Sequence, residues 1–147
     1  MGSPRTILIV DDDADVACVM ALLLEQQGYA VAQVTAPAVG SDWLTAVKEE
    51  LAKAPIDIML LDTQLPNGYG PDIAKALQTE RESGGVSVPP IVLMSANSSV
   101  ASTAGQLILA KSIVGFLAKP ATAKTLYAVV SRALPREEEA FRAGAIR

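Results

Sequence analysis

Short apolar runs, each ending at a polar or charged residue, recur along the chain. The first occupies residues 6–10, is rich in β-branched side chains, and stops at Asp11. Continuous apolar runs of this length are typical of strands that are buried on both faces of a sheet. The pattern predicts five strands, at residues 6–10, 29–34, 56–61, 91–94 and 114–117.

Segments with helical periodicity follow the strands. They predict helices at 14–27, at 41–54, around residues 73–77, at 98–110 and at 122–134. The expected inner face of the first helix consists of Val16, Val19, Met20, Leu23 and Leu24. The expected inner face of the second consists of Trp43, Leu44, Val47 and Leu51. Gly28 and Pro55 are placed to end these two helices.

This alternation of strands and helices predicts an α/β fold in which a five-stranded parallel sheet is covered by helices on both faces. With 50% hydrophobic residues, the 147-residue chain can bury one substantial core. We expect one domain at 6–134, preceded by a tag or disordered start at 1–5. A charged tail or linker stub follows at 135–147, either the natural end of the protein or a cut from a longer one.

Composition excludes several kinds of chemistry. The chain has no histidine and one cysteine, Cys18, so it lacks a Ser-His-Asp triad, a histidine zinc site and an internal disulfide. Its net charge of −4 argues against direct nucleic-acid binding. No apolar run approaches the roughly 18 to 20 residues that cross a bilayer, and the start does not resemble a signal peptide. We therefore expect a cytoplasmic protein that has no membrane contact.

Chemically active side chains follow four of the predicted strands. They are Asp11 and Asp12 after the first, Asp62 after the third, Ser95 after the fourth and Lys119 after the fifth. In parallel α/β sheets, ligands bind beyond these carboxyl ends. Clustered carboxylates suggest Mg²⁺, with Mn²⁺ as an alternative, and a phosphate group. Asp62 would then be a nucleophile that forms an aspartyl phosphate.

Structural roles are the alternative for several of these residues. Aspartates after strands often cap helices or form turns, and Asp13 in particular fits that role. Trp43 and Tyr127 are expected to be packing residues. The position of Tyr69, after Asp62, is compatible either with covering the site or with exposure in a loop.

Four motifs together resemble the receiver domain of bacterial two-component response regulators. They are Ile7–Asp12, the segment 60–66 with Gly70 after it, Val92–Ala96 and Phe116–Pro120. Pro66 and Gly70 follow Asp62 by four and eight residues, as in that family. The resemblance extends from residue 6 to residue 134. It implies a flavodoxin-like, doubly wound (βα)₅ fold, related to CheY, with strand order 2-1-3-4-5.

The resemblance also implies a role for each matching residue. Asp62 would be the phosphoacceptor, and Lys119 would bind the phosphate. The implied metal ligands are Asp11, Asp12, Asp62 and the backbone carbonyl of Gln64. The implied switch residues are Ser95 and Phe116, although Phe116 also fits a plain core position. The residues that would flank the site are Thr63, Ala96 and Asn97.

The implied partner is a histidine kinase or a histidine phosphotransfer protein. Because the chain has no histidine, the phosphohistidine donor must lie on another molecule or elsewhere in a longer protein. The domain would act as a switch rather than as an enzyme, with Mg²⁺-dependent self-phosphorylation and autodephosphorylation as its only reactions. Two alternatives remain: a receiver-like scaffold that is never phosphorylated, and a Mg²⁺-dependent hydrolase. Such hydrolases carry a second Asp two residues after the nucleophile, where this chain has Gln64.

The output face is expected to consist of the fourth helix, the fifth strand and the fifth helix. It would contact an effector or a second copy of the chain. Between residues 98 and 117 the only charged residue is Lys111, so we expect apolar rather than charged contacts there. The hypothesis fails if Leu107, Ile108, Leu109 and Ile113 are all buried within the monomer.

Overall fold

The computed structural model describes residues 4–134, apart from the side chain of Ser98. Residues 1–3 and the predicted tail at 135–147 lie outside the described residues. Five main strands form: β1 (Thr6–Val10), β2 (Ala30–Val34), β3 (Ile58–Asp62), β4 (Ile91–Ser95) and β5 (Gly115–Ala118). All five predicted strands are present, with bounds shifted by no more than two residues.

The five strands form one parallel sheet in the order β2-β1-β3-β4-β5. Leu8 of β1, for example, is in register with Ala32 on one side and Met59 on the other. Both the parallel sheet and the expected strand order 2-1-3-4-5 are confirmed. Because all the strands run the same way, their carboxyl ends share one edge.

Five α-helices connect and follow the strands: α1 (Ala14–Gln26), α2 (Trp43–Lys53), α3 (Gly70–Glu82), α4 (Ala101–Leu109) and α5 (Ala123–Ala133). A 3₁₀ turn, Ser98–Val100, precedes α4. Side chains of Asp13, Asp42 and Thr122 accept backbone N–H groups at the starts of α1, α2 and α5. The capping role suggested for Asp13 is thereby confirmed. Gly28 ends α1 with a φ of +93°, a left-handed conformation that favours glycine.

Strand side chains alternate between two cores on opposite faces of the sheet. Ile7 and Ile9 of β1 pack with α1 and α5, whereas Leu8 and Val10 pack with α2, α3 and α4. Two helices, α1 and α5, therefore cover one face of the sheet, and α2, α3 and α4 cover the other. The sheet lies fully between them, which explains why its strands are continuous apolar runs.

The predicted inner face of α1 was wrong at one position. Val19 is 56% exposed, while Ala17 and Ala21 are buried beside Met20 and Leu24. The buried stripe is thus centred on positions 17, 20, 21 and 24, which follow the spacing of a single helix face. The expected face of α2 is confirmed, since Trp43 and Val47 are buried and the other two residues pack against the same core.

A short hairpin that the sequence indicated only as a turn-rich segment follows β3. Gln64–Leu65 pairs with Gly68–Tyr69, and the turn residue Asn67 has a φ of 56°. We call this segment, Gln64–Tyr69, the 64–69 hairpin. Among residues 4–134, none of the helices has the length and apolar character needed to cross a membrane.

Candidate functional site

Four strands deliver their terminal polar residues to the same edge of the sheet. Asp11 directly follows β1, Asp62 is the last residue of β3, Ser95 ends β4, and Lys119 directly follows β5. Asp62 is in register with Met94, which places it next to Ser95 on the neighbouring strand. The structure therefore gathers the strand-end residues that the sequence selected.

Three carboxylates form a compact cluster. One oxygen from each of Asp11, Asp12 and Asp62 lies within 4.8 Å of the others. Asp11 is fully buried and Asp62 is 7% exposed, while Asp12 faces solvent. Carboxylate oxygens held this close together are the ligands that a hard divalent cation prefers, so these residues fit a metal ion such as Mg²⁺.

Lys119 lies between two of these carboxylates. Its Nζ donates to Asp11 Oδ2 at 2.7 Å and lies 3.5 Å from Asp62 Oδ2. Its backbone N–H donates to the Ser95 carbonyl at 2.9 Å, which fixes the start of the loop beyond β5. The ammonium group therefore neutralises part of the negative charge of the cluster and can reach an additional anion beside Asp62.

Burial and the neighbouring charge of Asp11 raise the pKa of Asp62 from 3.8 to about 6, although Lys119 opposes this rise. Burial alone would lower the pKa of Lys119. Its hydrogen bond to Asp11 and the negative charges around it outweigh burial, so the pKa of Lys119 is raised. At neutral pH the site therefore holds an ionised Asp62 beside a protonated lysine.

The carboxylate of Asp62 is held from behind by its neighbour. The Thr63 backbone N–H donates to Asp62 Oδ1 at 3.0 Å, while the Thr63 hydroxyl donates to the Met94 carbonyl at 2.6 Å. Thr63, predicted as a flanking residue, is completely buried beneath the site and directs its side chain toward β4. Its contribution to the site geometry therefore comes through its backbone.

An open cavity of about 440 Å³ lies in front of Asp62. It is lined by Asp62, Gln64, Ser95, Ala96, Asn97 and Lys119, all of which the sequence had selected. Ala96 and Asn97 are exposed at its rim. This space is where a group attached to the Asp62 carboxylate would lie.

The Ser95 hydroxyl is engaged with the loop that follows it. Ser95 Oγ accepts the Asn97 N–H at 2.9 Å and donates to the Asn97 carbonyl at 3.3 Å. The Asn97 side chain accepts from both the backbone N–H and the hydroxyl of Ser99, at 2.9 and 2.8 Å. Asn97 therefore stabilises the turn before α4, and the hydroxyl of Ser95 is tied to that turn.

Phe116 lies on the edge strand β5. It is half-buried, packs against the core beneath α2, α3 and α4, and is in register with Leu93. A second cavity, of about 460 Å³, lies between β5 and α5 and includes Phe116 among its lining residues. Phe116 therefore lies next to unfilled space at the edge of the sheet.

The four apolar residues expected on the output face divide into two pairs. Leu107 and Ile113 are each 2% exposed and belong to the core, whereas Ile108 is 42% and Leu109 84% exposed. The condition that would have excluded an apolar contact surface, burial of all four, is not met. The exposed part of this surface consists of Ile108 and Leu109, together with Val114, which is 51% exposed.

The backbone around Gln64 is held at two points. At the base of the 64–69 hairpin, the Gly70 N–H donates to the Thr63 carbonyl at 2.7 Å. A Cβ atom on Gly70 would lie 2.3 Å from the Asp62 carbonyl oxygen, so only glycine allows this approach. At the tip, Trp43 Nε1 donates to the Pro66 carbonyl at 2.8 Å. The sequence identified Trp43 only as a packing residue, because periodicity carries no information on this contact.

Comparisons with known proteins show the family and the fold of the chain. The model of the response regulator receiver domain matches residues 7–131. The chain is 34% identical over 131 residues to protein Rrf1 of Nitratidesulfovibrio vulgaris, covering 89% of this chain and 83% of that protein. It is 32% identical over 135 residues to the DNA-binding response regulator MtrA of Mycobacterium tuberculosis, covering 92% of this chain but about half of that protein, 53%.

The solved structure of the chemotaxis protein CheY4 of Vibrio cholerae has the same fold, with a TM-score of 0.71 at 22% identity, covering 89% of this chain and 99% of CheY4. The five-stranded parallel sheet and its strand order place the chain among proteins with the CheY fold. The chain belongs to the response regulator receiver domain family of two-component systems.

Proposed function

We propose that this receiver accepts a phosphoryl group on Asp62 from a phosphohistidine of a partner protein. The observation that carries the proposal is the position of Asp62 at the end of β3, 3.5 Å from the Lys119 ammonium and within one cluster with Asp11 and Asp12. A carboxylate nucleophile, a cation beside it and ligands for a second cation are what phosphoryl transfer requires.

In the proposed reaction, Asp62 Oδ2 attacks phosphorus and the P–N bond to the donor imidazole breaks. The electron pair of that bond stays with the imidazole nitrogen, and the ring leaves as neutral imidazole because its other nitrogen carries a proton. Asp62 must be ionised to attack, and a pKa of about 6 allows this at neutral pH. Lys119 stabilises the negative charge on the transferred oxygens from one side.

The proposed ligands of the metal are carboxylate oxygens of Asp11, Asp12 and Asp62 together with the backbone carbonyl of Gln64. When bound, Mg²⁺ or Mn²⁺ would supply positive charge to the phosphoryl oxygens. Asp12 is the exposed member of the cluster and offers a ligand toward solvent. Lys119 and the Thr63 N–H keep the two buried carboxylates oriented when no metal is bound.

An apolar groove beside the site is the proposed contact for the phosphohistidine partner. It has a volume of about 440 Å³ and runs between α1 and the loop after β5. Its lining includes Val16, Val19, Met20, Leu23 and Ala121, and it reaches Lys119. The exposure of Val19, which the sequence pattern placed inside, contributes to this surface. A donor helix that packed here would bring its histidine to the same edge as Asp62.

Phosphorylation would act on the output face through Ser95. The added phosphoryl group carries nearly two negative charges and accepts hydrogen bonds strongly, so it competes with Asn97 for the Ser95 hydroxyl. Turning the hydroxyl toward Asp62 would break both contacts with Asn97 and release the turn before α4. Phe116 would then repack beside β5, and the exposed side chains of Ile108, Leu109 and Val114 would contact an effector or a second copy.

The test is incubation with Mg²⁺ and acetyl phosphate, followed by intact-protein mass measurement. We expect one added phosphoryl group on the wild type and none on Asp62→Asn. Asp13→Asn is the matched control, since Asp13 is a neighbouring aspartate whose capping bonds asparagine can keep. An unmodified wild type, or equal modification of Asp62→Asn, would overturn the proposal.

A second arm uses a phosphorylated histidine phosphotransfer protein as the donor. Val19→Glu places a charge in the apolar groove, and we expect it to slow transfer from this protein while leaving phosphorylation by acetyl phosphate unchanged. If Val19→Glu is phosphorylated as fast as the wild type by both donors, the groove is not the docking surface.

A further inference from the structure

Trp43 makes a polar contact in addition to its packing in the core. It is the first residue of α2 and only 4% exposed, yet its Nε1 donates to the Pro66 carbonyl at 2.8 Å. The contact joins elements 23 residues apart in sequence. Trp43 is also the only tryptophan of the chain. A buried indole N–H needs an acceptor, and here the acceptor is the turn of the 64–69 hairpin.

The ring of Trp43 also fits against the returning strand of the hairpin. A Cβ atom on Gly68 would lie 2.7 Å from Trp43 Cδ1, so the indole edge occupies the space that any side chain at position 68 would need. Leu65, the residue between Gln64 and the turn, is buried in the same core cluster as Trp43. Trp43 therefore holds the tip of the hairpin by a hydrogen bond to Pro66 and by its close approach to Gly68.

Gln64 lies between this tip and the base held by Gly70. Its side chain is exposed, so its own packing does little to orient its backbone. The hairpin has only two residue pairs, Gln64 with Tyr69 and Leu65 with Gly68. Two-residue strands provide little stability by themselves. The direction of the Gln64 carbonyl thus depends on the contacts at the two ends of the hairpin.

The hairpin tip and the metal cluster share a cavity. It has a volume of about 330 Å³ and is lined by Asp12, Trp43, Pro66 and Asn67 among others. Asp12 is the exposed carboxylate of the cluster. A displaced hairpin would therefore change both the carbonyl of Gln64 and the surroundings of Asp12.

From these contacts we propose that Trp43 is a positioning residue of the metal site. Its hydrogen bond to Pro66 and its contact with Gly68 fix the hairpin, and the hairpin fixes the Gln64 carbonyl as a ligand for the divalent cation. The inference rests on the proposed function, because it assigns a role in the metal site proposed there. Residues that orient metal ligands from outside the coordination sphere affect affinity even though they never touch the ion.

The test is direct Mg²⁺ binding to the full chain by calorimetry. Trp43→Phe keeps an aromatic ring but removes the N–H, and we expect Mg²⁺ affinity to fall on the order of 10-fold. The rate of phosphorylation by acetyl phosphate should fall at limiting Mg²⁺ and rise toward that of the wild type as Mg²⁺ is increased. Gly68→Ala pushes the indole away while keeping its N–H, and should weaken Mg²⁺ binding in the same direction.

Tyr127→Phe is the matched control. The Tyr127 hydroxyl donates to the Leu23 carbonyl at 3.2 Å, so this variant also removes a partly buried contact between an aromatic side chain and the backbone, remote from the hairpin. We expect unchanged Mg²⁺ affinity. Thermal unfolding of each variant separates loss of stability from loss of binding.

The outcomes distinguish the two proposals. Wild-type Mg²⁺ affinity in Trp43→Phe, with or without lower stability, overturns the positioning role and leaves the proposed function intact. A wild type that binds no Mg²⁺ overturns the metal site itself. If Trp43→Phe does not fold, Gly68→Ala decides: unchanged affinity there overturns the positioning role, and weakened affinity supports it.

Discussion

Lys119 Nζ lies 2.7 Å from Asp11 Oδ2, closer than the 3.5 Å that separate it from Asp62 Oδ2. The lysine therefore forms its direct ion pair with the completely buried aspartate. Asp62, the proposed nucleophile, receives only part of the positive charge. This asymmetry agrees with the raised pKa of Asp62, because burial and the charge of Asp11 outweigh the more distant ammonium.

The first prediction concerns the ion pair. Lys119→Met removes the charge but keeps an unbranched side chain of similar length, which leaves Asp11 buried without a counter-ion. We expect the free energy of unfolding to fall by about 3 kcal/mol, measured by urea denaturation at pH 7 without divalent cations. Added Mg²⁺ should recover part of the loss, because it replaces the missing positive charge.

Lys48→Met is the control for this experiment. Lys48 pairs with Glu80 at 2.6 Å, but both side chains are about one-third exposed. Exposed pairs contribute below about 1 kcal/mol. If Lys119→Met and Lys48→Met lose equal amounts of unfolding free energy, burial of Asp11 does not increase the contribution of its ion pair.

The second prediction is a pH dependence of stability. The pKa of Asp62 is about 6 in the folded protein, above its ordinary value of 3.8. Between these values the folded state binds more protons than the unfolded state, so the contribution of Asp62 to stability is lost as pH rises through this window. Asp62→Asn lacks this loss, and we expect it to be more stable than the wild type above pH 6, by about 3 kcal/mol.

The measurement is urea denaturation from pH 4 to pH 8 in the absence of divalent cations. The stability difference between Asp62→Asn and the wild type should grow across the window and then level off. A difference that stays constant with pH would contradict the raised pKa.

A third prediction compares two glycines. Gly70→Ala places a Cβ atom 2.3 Å from the Asp62 carbonyl oxygen, which is backbone and has little freedom to move. We expect a loss of about 2–3 kcal/mol in unfolding free energy, with weaker Mg²⁺ binding, because the strain acts directly on β3. The two quantities can be measured by urea denaturation and calorimetry.

Gly105→Ala serves as the comparison. Gly105 lies within α4, and a Cβ atom there would meet nothing within 4 Å. Alanine is the better helix former, so we expect stabilisation by about 0.5–1 kcal/mol. Destabilisation by both substitutions to a similar degree would contradict the close approach at Gly70.

The fourth prediction separates core from surface on α4. Leu107 is 2% and Leu109 84% exposed, although both are apolar residues of one uncharged helix. Leu107→Ala should reduce unfolding free energy by about 2–4 kcal/mol, and Leu109→Ala should change it by less than about 0.5 kcal/mol. Urea denaturation of both variants is the measurement. A large loss on Leu109→Ala would show that this side chain packs within the monomer and is not available to a partner.

Several features of the fold could be predicted because they are encoded locally. Each apolar run such as residues 6–10 identifies a strand by itself, and the turn to Asp11 marks its end. The face of α1 was harder, since both Val19 and Ala17 are compatible with an apolar stripe. Packing selected the small alanines, which let the helix approach the sheet closely. The 64–69 hairpin also escaped prediction, because two-residue strands leave no periodicity to detect.

In the candidate site, too, some features are encoded locally and others depend on packing. Parallel strands end at a common edge, so local patterns were enough to place Asp11, Asp62, Ser95 and Lys119 together. The sequence by itself thus determined the inventory of the site and, through its motifs, the receiver family. Only the tertiary structure decided that Lys119 pairs with Asp11, 108 residues away, and that Trp43 holds Pro66. Those pairings depend on how helices and loops pack around the sheet, and no short-range pattern in the chain records that packing.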